Sequence, residues 1–267
     1  MSSVKIALSV PAVFQFLPSK EPATLPPPVP GSMLSAPPFS IPTSTFYAAL
    51  DPQVPITIGA IYAATVTILN AYNRSNGNKP WKISKTKAFF WFVVAHNVFL
   101  AVYSGWTFQG LVRAVFRTIS SGSGGIAGTV DSLCKLHGEA GLGNAIAYNG
   151  TVSQWTSENP LTTSIFLSAT GTPSSTDMGR LWNEGLAFYG WIFYVSKFYE
   201  VVDTAIIIAK GKRCSTLQTY HHAGAMMCMW SGIRYMSPPI WLWVAYNSGI
   251  HTMMVCSSLL LSAFLED

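Results

Sequence analysis

Apolar runs long enough to cross a membrane recur along the chain. A membrane-spanning helix needs about 20 mostly apolar residues. Five segments come near that length, and they are 55–72, 88–109, 186–209, 217–233 and 239–264. The fourth of them is the weakest by length. The pattern predicts an all-α fold, a polytopic transmembrane helix bundle with about five spans.

Two regions lack this pattern. Residues 11–42 are dense in Pro and Ser, which disfavours helix, so the first prediction is a disordered N-terminal arm over 1–50. The apolar run 4–17 is interrupted by Pro11 and Gln15, and cleavage as a signal peptide is not expected. The second region, 118–183, is rich in Gly, Ser and Thr without clear periodicity, and is predicted to be a mostly irregular loop. The membrane domain is then 51–267.

The composition agrees with a membrane protein. Hydrophobic side chains make up 49% of the chain and charged ones only 10%, too few charges to cover a soluble globule. The net charge of +5 comes from short basic clusters beside apolar segments, without the aromatic surface of a nucleic-acid-binding module. Four cysteines without a CxxC pair indicate neither a disulfide framework nor a zinc site, and they are expected to be unpaired. The expected partner is lipid, and no nucleic acid is expected.

The basic clusters predict an orientation. They lie in the first and third connections, and their members are Arg74, Lys79, Lys82, Lys85 and Lys87, then Lys210, Lys212 and Arg213. Positively charged loops stay in the cytosol, so both connections are predicted to be cytosolic. The long loop then faces the lumen, where Asn149-Gly150-Thr151 is an acceptor sequence for N-glycosylation. The second such sequence, Asn73-Arg74-Ser75, is expected to stay unmodified.

Four polar residues interrupt the third span: Lys197, Glu200, Asp203 and Thr204. Each ionised group at mid-membrane costs at least about 2.5 kcal/mol unless it is paired or hydrated. At 100° per residue the four lie on one side of a helix and should face the bundle interior. A structural ion pair between Lys197 and Glu200 and a functional site are both compatible with this pattern.

The next two spans add a second polar group. Gln218, His221 and His222 share one face near the start of the fourth span, and Asn247 and His251 are one turn apart in the fifth. At 1.5 Å per residue, Glu200 lies about 13 Å and His221 about 6 Å from the cytosolic ends of their helices. The imidazoles, carboxylates and lysine are therefore predicted to converge in one intramembrane site.

These residues carry a family resemblance. Lys197-x-x-Glu200-x-x-Asp203-Thr204, then Gln218-x-x-His221-His222, then Asn247-x-x-x-His251 resemble, in order and spacing, the ELO family of very-long-chain fatty acid elongases. His96-Asn97 with Leu100 and Ser104 is also similar to the family's second helix. The similarity covers 55–254, without the arm and the long loop. It implies a multi-pass protein of the endoplasmic reticulum membrane, with about five of the family's seven spans present.

The resemblance implies the condensing step of elongation. A long-chain acyl-CoA reacts with malonyl-CoA, the co-substrate, to give 3-ketoacyl-CoA, carbon dioxide and CoA, with no other cofactor and no metal. Other enzymes of the elongation cycle are possible partners. Many members have His at the position of Gln218, and the Gln form looks like the branch that includes elongases of polyunsaturated acyl chains.

The chemistry assigns candidate roles to these residues. Developing oxyanions need fixed donors, for which His222, Asn247 and Lys197 are candidates. His221 and His251 are candidates for a nucleophile or for the general acid and base, a choice that stays open. Glu200 and Asp203 would orient the imidazoles. The candidate substrate-binding residues are Asn97, Thr204, Gln218, Lys210, Lys212 and Arg213; the last three either meet CoA phosphates or only mark the cytosolic side.

Three other functions or states of the chain are compared with a condensing enzyme. A di-iron desaturase needs more histidine ligands than the five present. A proton-coupled transporter would also place charges in the membrane, but no repeated half is apparent. Where the family continues with Met-Tyr-x-Tyr-Tyr, this chain reads Met254-Val255-Cys256-Ser257-Ser258, so 255–267 is expected to be a non-family end, for instance translated intron. If the chain is truncated there, an unstable or inactive product is expected. The alternative function is that of a non-catalytic elongase-like membrane protein that associates with intact elongases.

Overall fold

The structure is a computed structural model and describes residues 38–121, 124–149, 151–157, 167, 171–173 and 178–264. Its helices are α1 (Thr43–Ala49), α2 (Gln53–Ser75), α3 (Lys87–Ser121), α4 (Gly125–Cys134), α5 (Ala187–Tyr199), α6 (Val201–Ala209), α7 (Thr216–Arg234) and α8 (Ile240–Phe264). Strands β1 (Ile146–Asn149) and β2 (Gln154–Ser157) form an antiparallel hairpin. A 3₁₀ turn covers Lys82–Lys85 and a π-helical turn covers Trp182–Leu186.

The predicted all-α transmembrane bundle is confirmed. All five apolar segments are helical, and two helices, Gln53–Ser75 and Lys87–Ile119, are long and apolar enough by length and composition to cross a membrane. Large apolar side chains such as Ile61, Ile68, Phe99 and Val102 are exposed on their outer faces. Such faces suit lipid, because a water-exposed surface of this kind would drive aggregation.

The third predicted span, 186–209, is interrupted among its four polar residues. Glu200 separates α5 from α6, and the amide of Asp203 donates to the carbonyl of Glu200 at 3.1 Å in a tighter, 3₁₀-like turn. The apolar run alone indicated one continuous helix over 186–209. The break lies at the polar residues that the sequence singled out.

Two predictions about irregular regions are wrong in part. The arm predicted over 1–50 ends in an ordered helix, α1, whose Phe46 packs in the core beside Leu50; residues 1–37 lie outside the described part. The loop predicted over 118–183 begins as the last turn of α3 and contains α4 and the β-hairpin. Helix α1, helix α4 and the two strands are each short, so none of them gives a hydrophobic periodicity over a long window of sequence.

The core is built around α5. Residues from Leu181 to Tyr194 are all buried, since α3, α7, α8 and the N-terminal segment surround them. Aromatic donors of α5 and α7 tie α1 and the residue after it to the bundle: Trp191 Nε1 donates to Phe46 O at 3.2 Å, and Trp230 Nε1 to Leu50 O at 2.9 Å. These bonds satisfy carbonyls at the end of α1 that have no partner within the helix.

The two basic connections interlock at one end of the bundle. Asn73 Nδ2 donates to Ile208 O at 2.8 Å, and Trp81 N donates to Ala209 O at 2.9 Å. Gly211 ends α6 with φ of 73°, and a Cβ there would lie 2.5 Å from Asn78 O, so the contact between the connections needs glycine. The interlock joins the lysines and arginines of both connections into one basic face.

Candidate functional site

A cavity of about 370 Å³ lies between α3, α6, α7 and α8. Its walls carry most of the polar residues singled out by the sequence. The lining residues are Val93, Asn97, Leu100, Asp203, Ile206, Ile207, Lys210, Gln218, His221, His222 and His251. Apolar walls with a few convergent polar groups are typical of small-molecule sites. The predicted convergence of the three helices is therefore present in the structure.

A buried lysine lies behind the cavity. Lys197 is 1% exposed, and its Nζ donates to Glu200 Oε1 and, at 2.9 Å, to Asn247 Oδ1. The ammonium also lies 3.7 Å from the centre of the Phe193 ring. The predicted Lys197–Glu200 pair thus forms, and it binds α5 to α8. Asn247 uses its oxygen for Lys197, which leaves its Nδ2 as a donor.

The second oxygen of Glu200 points at the imidazole of His222. Nδ1 of His222 lies 3.8 Å from Glu200 Oε2, and neither atom has a hydrogen-bond partner among the described residues. Both residues are buried. At 3.8 Å the two atoms are too far apart for a hydrogen bond, and such distances in sites without substrate often shorten when substrate binds. Glu200 is therefore placed to orient His222, with Lys197 holding the carboxylate.

His221 and His251 face the cavity without hydrogen bonds to the described part of the chain. His221 is exposed, and its ring lies edge-on to His222 at 5.6 Å between centroids. His251 is half-buried. Side chains with unengaged imidazole nitrogens are available to a bound molecule as donors, acceptors or nucleophiles.

Asp203 has a partner that was missed as a site residue. His96 Nε2 lies 2.8 Å from Asp203 Oδ1, and His96 Nδ1 lies 3.0 Å from the Tyr199 hydroxyl. With a neutral imidazole beside an ionised carboxylate, Nε2 donates to Asp203 and Nδ1 accepts from the Tyr199 hydroxyl. From the sequence, His96 contributes to the family resemblance but is not predicted to belong to the site. It lies inside the second predicted span, so the argument applied to the other intramembrane histidines could have found it.

The remaining predicted residues divide into two groups. Thr204 is buried, and its hydroxyl lies 2.8 Å from that of Tyr62 on α2, so it joins helices and does not line the cavity. Lys210 lies on the cavity wall, whereas Lys212 and Arg213 are exposed on the basic face outside it. Cys134, Cys214 and Cys228 are unpaired as predicted, and the side chain of Cys256 lies outside the described residues.

An all-α bundle with imidazoles, carboxylates and an amide converging on one cavity defines an intramembrane site. Residues 47–257 match the family described as ELO: GNS1/SUR4. The match covers most of the chain, and the chain belongs to this family. The resemblance stated from the sequence is confirmed.

Curated relatives are similar over shorter stretches. A putative fatty acid elongase of Dictyostelium discoideum is 39% identical over 74 residues, 27% of this chain and 25% of that protein. Fatty acid elongase 2 of Trypanosoma brucei brucei is 28% identical over 78 residues, 29% of each chain. Very long chain fatty acid elongase 3 of Homo sapiens is 31% identical over 72 residues, 27% of each chain. The matched part is thus little more than a quarter of these relatives, and no solved structure matches the chain.

Proposed function

We propose that this chain catalyses the condensing step of fatty acid elongation, in which a long-chain acyl-CoA and malonyl-CoA give 3-ketoacyl-CoA, carbon dioxide and CoA. The observation that carries the proposal is the cavity on which His221, His222, His251, Asp203 and Asn97 converge in a member of the ELO: GNS1/SUR4 family. Relatives of the chain are named as fatty acid elongases.

Decarboxylation of the malonyl group needs donors for the enolate oxygen. His222 and the Nδ2 of Asn247 are candidates, because Lys197 binds the oxygen of Asn247 and the Glu200 carboxylate lies 3.8 Å from Nδ1 of His222. Fixed donors in a site with little water stabilise developing charge more strongly than water does. Lys197 itself is engaged by Glu200 and Asn247, so in this proposal it positions the other two groups.

The acyl group needs an acceptor or an activating base. His221 and His251 lie on the cavity wall with nitrogens not engaged by the described residues. In the nucleophilic form of the mechanism, one of them takes the acyl group as an acyl-imidazole while the thiolate of CoA leaves. The enolate formed by loss of carbon dioxide then attacks this carbonyl and releases the imidazole. In the general-acid form, the imidazole donates a proton to the departing thiolate.

The basic face gives the CoA groups a place outside the membrane. Lys210 lies on the cavity wall, and Lys212 and Arg213 follow it on the exposed connection. Lysine and arginine bind phosphate oxygens by charge-assisted hydrogen bonds. We propose that the CoA phosphates bind here while the acyl chain lies among the apolar walls, with the basic face cytosolic in a multi-pass protein of the endoplasmic reticulum membrane. Because position 218 is Gln, as in the family branch that includes elongases of polyunsaturated acyl chains, such acyl chains are the first substrates to test.

The test is a condensation assay on microsomes that express the chain. Radiolabelled malonyl-CoA and a long-chain acyl-CoA should give labelled 3-ketoacyl-CoA above the level of empty-vector microsomes. His221→Ala should abolish the product, whereas Tyr220→Phe, the neighbouring side chain that is 77% exposed, should leave it unchanged. Product that is equal in wild type and His221→Ala would contradict the proposed role of that residue.

The same assay separates the alternative functions. If the integrated chain gives no product with any acyl-CoA but purifies with a full-length elongase, it is a non-catalytic partner of that enzyme. If it gives no product and no such partner, proton-coupled transport remains for the charged residues within the membrane.

A further inference from the structure

The β-hairpin ends in an asparagine whose amide nitrogen makes no hydrogen bond to the described residues. Asn149 is the last residue of β1 and is exposed. Its Oδ1 accepts a hydrogen bond from the amide of Thr151 at 3.0 Å, which turns Nδ2 away from the local backbone. Thr151 is exposed as well. In Asn-x-Ser/Thr, these two side chains are the ones that a glycosylating enzyme must reach.

The hairpin belongs to a small folded unit, made of α4, the segment around His137 and Gly138, the two strands and Arg180. Ile146 and Trp155 are buried between the strands and their neighbours, and Ile146 N donates to His137 O at 3.0 Å. Arg180, just before the π-helical turn, binds the carbonyls of Gly138 and Glu139. The buried side of the hairpin is therefore fixed, and Asn149 is on the opposite, exposed side.

The position of this unit relative to the membrane follows from α5 and α6. The Arg180 contacts tie the hairpin to the start of α5, whereas the basic face lies at the end of α6. A helix over residues 187–209 extends about 34 Å, which is close to the thickness of about 30 Å of the hydrocarbon core of a bilayer. The hairpin thus lies across the membrane from the basic face, on the side where glycosylation takes place if the basic face is cytosolic.

The other acceptor sequence has the opposite properties. Asn73 is 1% exposed, its Nδ2 donates to Ile208 O, and its Oδ1 accepts from Trp81 Nε1 at 2.8 Å. The amide is part of the interlock between the two basic connections. A sugar on Nδ2 would break that contact, and the residue lies on the basic side of the membrane.

We propose that Asn149 carries an N-linked glycan and that Asn73 does not. In the reaction, Nδ2 of Asn149 loses a proton and forms a bond to the anomeric carbon of an oligosaccharide carried on a lipid diphosphate. The bond from that carbon to the diphosphate breaks, and the lipid diphosphate leaves. This modification does not depend on the proposed enzyme activity.

The test is translation of the full chain in glycosylation-competent microsomes, with assay of the carbonate-resistant membrane fraction. Wild type should show a one-step mobility shift that a peptide N-glycosidase removes. Thr151→Ala and Asn149→Gln should lose the shift, and Thr151→Ser should keep it. The matched control is Ser75→Ala, which removes the other acceptor sequence while leaving Asn73 in place, and it should keep the shift.

Two results would overturn the proposal. One is membrane-integrated wild type without any glycosidase-sensitive shift, in microsomes that glycosylate a reference protein. The other is a shift that disappears in Ser75→Ala and persists in Thr151→Ala, which would place the basic face on the lumenal side.

Discussion

Two cations in the described part of the chain are almost completely buried, and their surroundings differ. Arg180, in the folded unit after α3, donates to four backbone carbonyls, those of Asp131, Gly138, Glu139 and Gly141. It also lies 2.9 Å from the Asp131 carboxylate. Lys197 is bound by two side chains, Glu200 and Asn247. Arg180 binds backbone that cannot rotate away, whereas the partners of Lys197 have atoms left over.

The two regions also differ in their position relative to the cavity. Glu200 Oε2 and His222 Nδ1 have no hydrogen-bond partner among the described residues, and the His222 ring lines the cavity. Polar atoms without partners also occur among the described residues around Arg180, at both ring nitrogens of His137 and at Trp155 Nε1, but none of those residues lines the cavity. We infer that the Arg180 cluster serves folding and that the Lys197 group serves the cavity. Substitutions in the two regions should separate stability from activity.

The largest effect is expected for Arg180→Met. The change leaves the Asp131 carboxylate and four carbonyls without their donor, so we expect the free energy of unfolding to fall by about 3–5 kcal/mol. Unfolding in detergent micelles, followed by circular dichroism, measures it. Arg180→Lys keeps the charge but not the planar set of donors, so its free energy of unfolding should lie between those of wild type and Arg180→Met. The matched control is Arg113→Met on the exposed face of α3; an equal loss there would contradict the structural role of Arg180.

The next effect is expected for His222→Gln, and it should appear in the reaction rate. Removal of a positioned imidazole lowers rates by about 10²–10⁴-fold. Glutamine keeps most of the volume and can still donate toward Glu200, so unfolding should change far less than in Arg180→Met. Condensation assays and detergent unfolding on the same preparation check both halves. A variant that loses stability and activity together would remove the contrast between the regions.

A smaller effect is expected for the pair of His96 and Asp203. His96→Phe removes the donor to Asp203 and the acceptor of Tyr199, and we expect kcat to fall about 10-fold, as for other outer partners of site residues. KM should hardly change, because His96 does not line the cavity. His96→Gln retains one donor and should recover part of kcat. A rise in KM with unchanged kcat would show that His96 acts on substrate binding and not on Asp203.

The same contrast explains what could be predicted from the sequence. The spans are long apolar runs, and the facing of Lys197, Glu200 and His222 follows from helical periodicity. The partners of Arg180 are backbone carbonyls 39 to 49 positions away in the chain, and no local pattern encodes them. The approach of His96 to Asp203 depends on how α3 is rotated against α6, which is decided by packing. Helix α1 is too short to give a periodic signal, and the apolar run 186–209 gives no sign of the break at Glu200.

The smallest effect is a pH dependence that belongs to the folded unit. His137 is fully buried against Trp155, and burial, with the nearby Arg180 charge second, lowers its pKa from 6.5 to about 4. The unfolded chain therefore binds a proton between those values while the folded chain does not, so stability is complete above pH 6.5 and falls as pH drops.

From pH 7.5 to 5.5 the share of His137 in this loss should be about 1.3 kcal/mol. His137→Phe keeps a ring against Trp155 and removes the titration, so its unfolding free energy should fall less over the same range, by that amount. Unfolding curves for both proteins at the two pH values measure the difference. Identical pH dependence in wild type and variant would mean that His137 titrates alike in the folded and unfolded chains, and that its burial does not contribute to the stability of the Arg180 region.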